Sequence, residues 1–351
     1  MIRKKLLVIL GLLLIVLSLQ AQETEKKESL INWLDFETAV EKQKELPKPI
    51  FIDMYTDWCG WCKKLDSETF ANKEIANYIN TYFYPVKFDA ETQDTIKYKG
   101  KDYVNNQTGR RATHDLALEL LDNRASYPSM VYIDVNGQVS KTAGFMDAKK
   151  IEPILIFFAE NINKTTNYEA FSNAFNFVFG EENKAEINIS GNVNWLTLDK
   201  AFQKQKENPK KILILFVSDY YQRISSILME DISFTNPHIA EYVNEAFYPV
   251  RFQASSKDTI QLLDQTFVNE QRGIGYPHQL IFSLLQNNVV FPSIVFMNEK
   301  NELLSPMQGY FIPQIMEPYF HFIATDQYQE GNWQEYYKNF KGKVPRQQTQ
   351  Q

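Results

Sequence analysis

The tripeptide Asn32-Trp33-Leu34 returns as Asn194-Trp195-Leu196, 162 residues later, and much of the sequence after it returns too. Leu46-Pro47-Lys48-Pro49-Ile50-Phe51-Ile52 is repeated in character by Asn208-Pro209-Lys210-Lys211-Ile212-Leu213-Ile214 at the same offset. After a two-residue insertion the offset becomes 164 and holds over a long span. Phe83-Tyr84-Pro85-Val86-Lys87-Phe88 then matches Phe247-Tyr248-Pro249-Val250-Arg251-Phe252, and Asp94-Thr95-Ile96 matches Asp258-Thr259-Ile260. His114 meets His278, and Tyr127-Pro128-Ser129-Met130-Val131 meets Phe291-Pro292-Ser293-Ile294-Val295. Self-similarity at a fixed spacing means that one structural unit is used twice. The chain reads as a tandem duplication, each copy about 130–140 residues, an ordinary size for one domain.

Within a copy the pattern alternates between helix and strand. A first helix carries Leu34, Phe36, Ala39 and Val40 on one side, and the apolar run Ile50–Tyr55 reads as a buried strand. From the N-cap candidate Asn72, Ile75, Tyr78, Ile79 and Tyr82 recur at helical spacing; Asn236-Pro237 gives the same cap with a proline at the first helical position. A strand at Tyr84–Phe88 and a polar stretch ending near Arg111 come next; the segment Glu91–Arg111, with Lys97, Lys99, Lys101, Arg110 and Arg111, reads as a solvated loop or hairpin, with a partner-docking surface as the alternative. A helix over His114–Asp122 succeeds it, with His114 as a polar residue at its start and no assigned role. Strands Ser129–Val135 and Gln138–Ala143 around Asn136-Gly137 suggest a two-residue hairpin, and Ala148–Glu160 a closing helix. The expected fold class is α/β: two tandem domains, each a central mixed β-sheet flanked by helices.

The only two cysteines, Cys59 and Cys62, sit C-x-x-C between the first strand and the helix after it. Two thiols at that spacing can close a small ring and reopen it, and the first, at a helix N-terminus, gains from free N–H groups and the macrodipole. So short a loop removes little chain entropy, which makes a structural role the poorer explanation. Zinc would need four ligands, and the four histidines (His114, His238, His278, His321) lie at no finger spacing, so no metal is assigned. No bound cofactor is assigned either; the redox-active group is the pair itself.

W-C-x-x-C after the first long strand, in a β-α-β…β-β-α order, resembles the thioredoxin fold. More narrowly it is similar to exported bacterial thioredoxin-like proteins with W-C-x-x-C-K, here Trp58-Cys59-Gly60-Trp61-Cys62-Lys63. The likeness covers nearly all of 30–160 and, by fold alone, about 190–325. It implies a thiol–disulfide oxidoreductase acting on protein disulfides, more a reductase than an oxidase, with Cys59 as nucleophile and Cys62 resolving the mixed disulfide. A non-catalytic binding or chaperone-like module is the alternative. Asp53 could be an acid on a solvated strand face or a buried one; the resemblance carries the buried role onto it, beside the resolving thiol. Lys87 matches the lysine that accompanies that acid, but its reading here is a solvated lysine. The resemblance also implies a cis bond before Pro128, with Tyr127 and Pro128 meeting the substrate. Trp58 and Trp61, on either side of Cys59-Gly60, either shield a core edge or, together with Gly60, dock extended partners beside the thiol. Trp61 stands where most thioredoxins have proline, a position that tunes redox potential.

The second copy has Tyr220-Tyr221-Gln222-Arg223-Ile224 opposite Trp58–Cys62 and Leu215 opposite Asp53, so thiols and acid are missing together. Arg3-Lys4-Lys5 ahead of an apolar run reads as a signal peptide over 1–21, with no cysteine after it for lipidation. The expected domain ranges are 22–165 active, 166–191 linker with an aromatic helix (Tyr168 to Phe179) packed on domain one, 192–325 degenerate, and 326–351 a helix and a disordered tail. The net charge of −6 without a basic patch excludes nucleic acid as the main partner. Partners are expected to be protein thiols and disulfides and an unidentified electron donor, in an exported, periplasmic setting, with no membrane span in the mature chain and an open oligomeric state.

Overall fold

The computed structural model describes residues 29–180, 187–262 and 264–345. The proposed signal peptide and the last six residues of the tail lie outside them. The chain divides into two compact units, Met1–Ala148 and Lys149–Gln351.

The first unit is built on β1 (Ile50–Tyr55). Helix α1 (Phe36–Glu45) precedes it, capped by the Asp35 carboxylate, which accepts from Thr38 N at 2.8 Å. α2 (Gly60–Lys64) runs on without a break into a π turn, Leu65–Thr69. α3 (Lys73–Tyr82) starts at Asn72, whose side chain accepts from Glu74 N and Ile75 N as expected of a cap. Next come β2 (Tyr84–Asp89), the small hairpin β3 (Ile96–Tyr98) and β4 (Lys101–Tyr103), α4 (Asp115–Leu120), β5 (Ser129–Ile133) and β6 (Val139–Ala143). The main sheet has the order β2-β1-β5-β6, with β1 parallel to β2 and antiparallel to β5. It is the mixed sheet expected from the sequence.

A central strand is covered on both faces, so β1 is apolar at every position but Asp53 and Tyr55. Ile50, Ile52 and Met54 point to one side, into a core with Phe36 and Ala39 of α1 and Leu116, Ala117 and Leu120 of α4. Phe51 and Asp53 point to the other. There Phe51 packs on Phe70, Phe83 and Tyr132, with ring centroids 6.0, 5.9 and 5.6 Å away. Burying each such ring contributes about 1.5–3 kcal/mol. The hairpin after β5 differs from the expected two-residue turn. The Asp134 carboxylate takes the N–H groups of Asn136 and Gln138 at 2.9 and 2.7 Å, which ends the strand at Ile133 and delays the next to Val139.

The second unit opens with α5 (Ala148–Ala159) and α6 (Tyr168–Phe179). The aromatic helix forms with the bounds read from sequence and packs on the closing helix of the expected first domain, Phe171 lying 5.3 Å from Phe157 of α5; it also touches α8 (Arg223–Leu228). α5 and α6 thus belong to one unit with the second copy. Then come α7 (Leu198–Glu207), β7 (Ile212–Val217), α8 with its own π turn Met229–Ser233, α9 (Pro237–Ala246), β8 (Tyr248–Gln253), β9 (Ile260–Leu262), β10 (Gln265–Phe267), α10 (Gln279–Leu284), β11 (Ser293–Met297), β12 (Met307–Gln308), α11 (Pro313–Ala324) and α12 (Trp333–Asn339). Its sheet, β12-β11-β7-β8, has the order and the strand directions of the first, and the π turn and the α9 cap fall 164 residues after their counterparts. β12 is shorter than β6 because Pro306, next before it, has no N–H for the ladder.

Candidate active site

Cys59 is the N-cap of α2, and its Sγ accepts from Cys62 N at 3.0 Å. The two cysteines form a disulfide, S–S 2.07 Å, and both are buried: Cys59 is 4% exposed and Cys62 1%. Cys59 is the more exposed of the two by a narrow margin. Its place at the start of a helical run from Gly60 to Thr69 gives a thiolate there the partial positive charge of the helix end. Gly60 is not in the left-handed region, and a Cβ on it would meet nothing within 4 Å.

Asp53 is fully buried, paired in register with Lys87 on β2 and Met130 on β5. The Lys87 ammonium binds Asp53 Oδ2 and also Asp66, four residues beyond Cys62 in the same helical run, so the acid lies beneath the helix that carries the resolving cysteine. The other oxygen, Asp53 Oδ1, is buried with no hydrogen-bond partner among the described residues. Burial pushes the Asp53 carboxyl up to about 6, against the pull of the Lys87 charge and hydrogen bond, and the Asp66 charge adds to the rise. For Lys87, burial alone would lower the ammonium, but Asp53 and Asp66 outweigh it and hold the group above its ordinary value. Both partners move upward for opposite reasons: burial raises Asp53 despite Lys87, and the two carboxylates raise Lys87 despite burial. Lys87 lies between two carboxylates, Asp53 fully buried and Asp66 partly exposed. Reading Lys87 as solvated was wrong: only 21% of its side chain is exposed. The cause is the cross-strand register, which puts Lys87 opposite Asp53 on one face and is legible in neither strand alone.

Trp58 and Trp61 flank Cys59 and are 47% and 58% exposed. Trp58 is held on three sides. Its Nε1–H donates to Glu91 Oε1 at 2.9 Å, the Arg111 guanidinium lies 4.1 Å from its ring centroid, and Tyr127 meets it edge-on at 6.1 Å. Trp61 packs on Phe145 at 5.6 Å, with the Lys64 ammonium over both rings. The Tyr127-Pro128 bond is cis, as is Phe291-Pro292 in the second unit, and the Pro128 carbonyl accepts from Gly144 N at 2.8 Å. Glu91 and Arg111 stand in the sequence reading only as the ends of a basic loop, and Phe145 not at all, because they reach the site through loop closure and no local period marks them. His114 is a buried N-cap: its Nδ1 accepts from Leu116 N at 3.2 Å, and its Nε2 lies 3.1 Å from the Asp94 carbonyl.

Residues 21–169 match the Thioredox_DsbH family model, described as "Protein of unknown function, DUF255". These residues are thioredoxin-like. The thioredoxin-like segment is 24% identical over 136 residues to the thiol:disulfide interchange protein DsbD of Escherichia coli (strain K12), covering 37% of this chain and 21% of that one. It is 31% identical over 67 residues to spermatogenesis-associated protein 20 of Rattus norvegicus, covering 19% of this chain and 8% of that one. The chain therefore spans about a fifth or less of these curated relatives. Among solved structures, "DsbH Oxidoreductase" aligns with TM-score 0.25 and 18% identity over 35% of this chain and 79% of that one. The reduced C-terminal domain of Neisseria meningitidis DsbD aligns with TM-score 0.25 and 20% identity over 35% and 92%.

At the corresponding strand-to-helix junction of the second unit different groups stand. Counting back from the π turns, Ser226 and not Ile224 stands in the place of Cys62, and Arg223 in the place of Cys59, because the two-residue insertion precedes the helix. The carboxylate of Glu160, just after α5, accepts from Ile224 N at 3.2 Å and from Ser225 N and Oγ at 2.7 Å each. Gln222 takes the N–H of Phe291, just before the second cis proline, at 3.3 Å. Among the described residues no group of three or more His, Cys, Asp or Glu could hold a metal ion, and no helix is long and apolar enough to cross a membrane.

Proposed function

We propose that the chain is a thiol–disulfide oxidoreductase acting on protein disulfides through Cys59 and Cys62, as a reductase rather than an oxidase. The observation that carries the reading is a closed cysteine pair at a helix N-terminus, with the buried Asp53 carboxyl beneath that helix. In the reduced enzyme the Cys59 thiolate attacks a substrate disulfide, forming the mixed disulfide and releasing one substrate sulfur as a thiolate that takes a proton. Cys62 passes its proton to the Asp53 carboxylate and attacks Cys59 Sγ. The Cys59–Cys62 bond forms, the mixed disulfide breaks, and the second substrate sulfur leaves as a thiolate that takes up the proton held on Asp53, so the substrate departs as a dithiol, reduced by two electrons. A protein dithiol of unidentified source restores the enzyme pair, and no other cofactor takes part.

Trp58, Gly60, Trp61, Tyr127 and Pro128 are the proposed substrate contacts. Residues 1–21 read as a signal peptide, which supports an exported, periplasmic setting. The shared sheet order and the recurring sequence support a tandem repeat with one working domain (22–165) and one degenerate domain (192–325). The latter, with serine in the resolving position and Glu160 on its helix start, exchanges no disulfides. An insulin-reduction assay with a dithiol donor tests the reading. The wild type should accelerate reduction and Cys59→Ser should fall to the uncatalysed rate; a wild type that gives no acceleration leaves only a binding module.

A further inference from the structure

The long connection between β2 and α4 ends at Arg111, and this residue does something the fold does not require. Asn105 ties the two ends of the loop together, donating to the Thr92 and Ala112 carbonyls at 3.2 and 2.8 Å. The matching loop of the second unit is tied in the same way, by Asn269 to the Ser256 and Tyr276 carbonyls at 3.0 and 2.8 Å. Both loops also close on the same aromatic position. In the second unit Gly275, 164 residues after Arg111, lies so close to Tyr220 that a Cβ there would be 2.5 Å from the Tyr220 Cβ. Tyr220 comes three residues after β7, as Trp58 comes three after β1. Loop closure is therefore achieved without an arginine. The unit that lacks the thiols has a glycine at φ +70°, and the unit that has them places a guanidinium on the indole.

From this we infer that Arg111 is a positioning residue of the redox site, fixing Trp58 as a docking platform for polypeptide disulfides. The inference rests on the exchange activity proposed above. Trp58 precedes the nucleophile and is 47% exposed. Glu91 holds its N–H edge, Tyr127 borders it, and Arg111 covers a face, so a ring that would otherwise sample several rotamers is held in one. A substrate chain reaching past its own sulfur atoms meets that surface; a small disulfide does not extend so far.

The test compares insulin with hydroxyethyl disulfide as substrates for the full chain, wild type, Arg111→Ala and Arg111→Lys. Arg111 is an exposed loop residue, so folding is not at stake. Arg111→Ala should raise KM for insulin about two- to five-fold, the weight of one exposed cation–π contact, with a smaller change in kcat and a smaller effect on the small disulfide. Arg111→Lys should restore part of the loss, since an ammonium keeps the charge but not the flat stacking. The Trp58 indole N–H resonance should shift in Arg111→Ala. Equal effects on the two disulfides, or no effect and an unmoved resonance, overturn the platform while leaving the exchange reading intact. A wild type that reduces neither disulfide overturns both.

Discussion

Replacing Cys62 by serine is expected to turn a transient intermediate into a stable adduct on Cys59. The two sulfurs have different positions and therefore different tasks. Cys59 caps the helix, where its thiolate is favoured, and Cys62 lies one turn in, 1% exposed, where a substrate sulfur cannot easily reach it. Without Cys62 the attack on substrate still occurs, but nothing intramolecular can break the mixed disulfide. Turnover of a protein disulfide should drop by several orders of magnitude, as removal of half of a two-part nucleophilic unit does. Non-reducing gels and intact mass should show substrate held covalently and released by dithiothreitol. Cys59→Ser should lose the activity without trapping anything. Adducts on Cys62, or none on Cys59 with an active wild type, would reverse the assignment.

Asp53→Asn should stabilise the protein at neutral and higher pH while slowing exchange. The carboxyl is raised to about 6 from its ordinary 3.8, with burial the largest cause. The native state thus holds a proton that the unfolded chain has already released. The stability this group contributes is fully present below about 3.8 and is lost as pH rises through about 6. Above that range the ionised acid is a cost that asparagine does not carry. A shift of this size, which already contains the attraction of Lys87, sets an upper bound of about 3 kcal/mol on the gain. Urea denaturation at pH 5 and pH 8 measures it: the advantage of Asp53→Asn should be larger at pH 8, and an advantage that stays flat would contradict the raised carboxyl. The reduction rate should also lose its inflection near the Asp53 value, since asparagine cannot take the Cys62 proton.

Much of the fold was legible because its signals are local. The period of Ile75, Tyr78, Ile79 and Tyr82 gave α3, Asn72 and Asn236-Pro237 gave the caps, and the apolar run Ile50–Tyr55 gave the central strand. The cysteine pair lies within four residues of itself and needed only its flanking elements. What escaped was set by pairing between distant segments. Lys87 is buried because strand register and the Asp66 carboxylate bring two acids to it. Arg111 depends on how a loop closes, and Glu160 on a helix start 65 residues further along the chain. The hairpin after β5 was misread because the Asp134 carboxylate competes with the strand ladder for N–H groups, an outcome the Asn136-Gly137 turn signal does not reveal. In the second unit, a constant offset carried two residues too far hid Ser226 in the place of Cys62.

The central claim is that Cys59–Cys62 is a working redox couple and not a staple. Equilibrating the protein in dithiothreitol or glutathione buffers of defined potential and counting free thiols by alkylation and mass tests this directly. A working pair should titrate reversibly as a two-electron couple between about −270 and −120 mV, the range of thiol–disulfide exchange proteins, with the protein folded on both sides of the transition. A disulfide that stays closed below about −300 mV, the behaviour of structural bridges, or that opens only when the protein unfolds, would contradict the account.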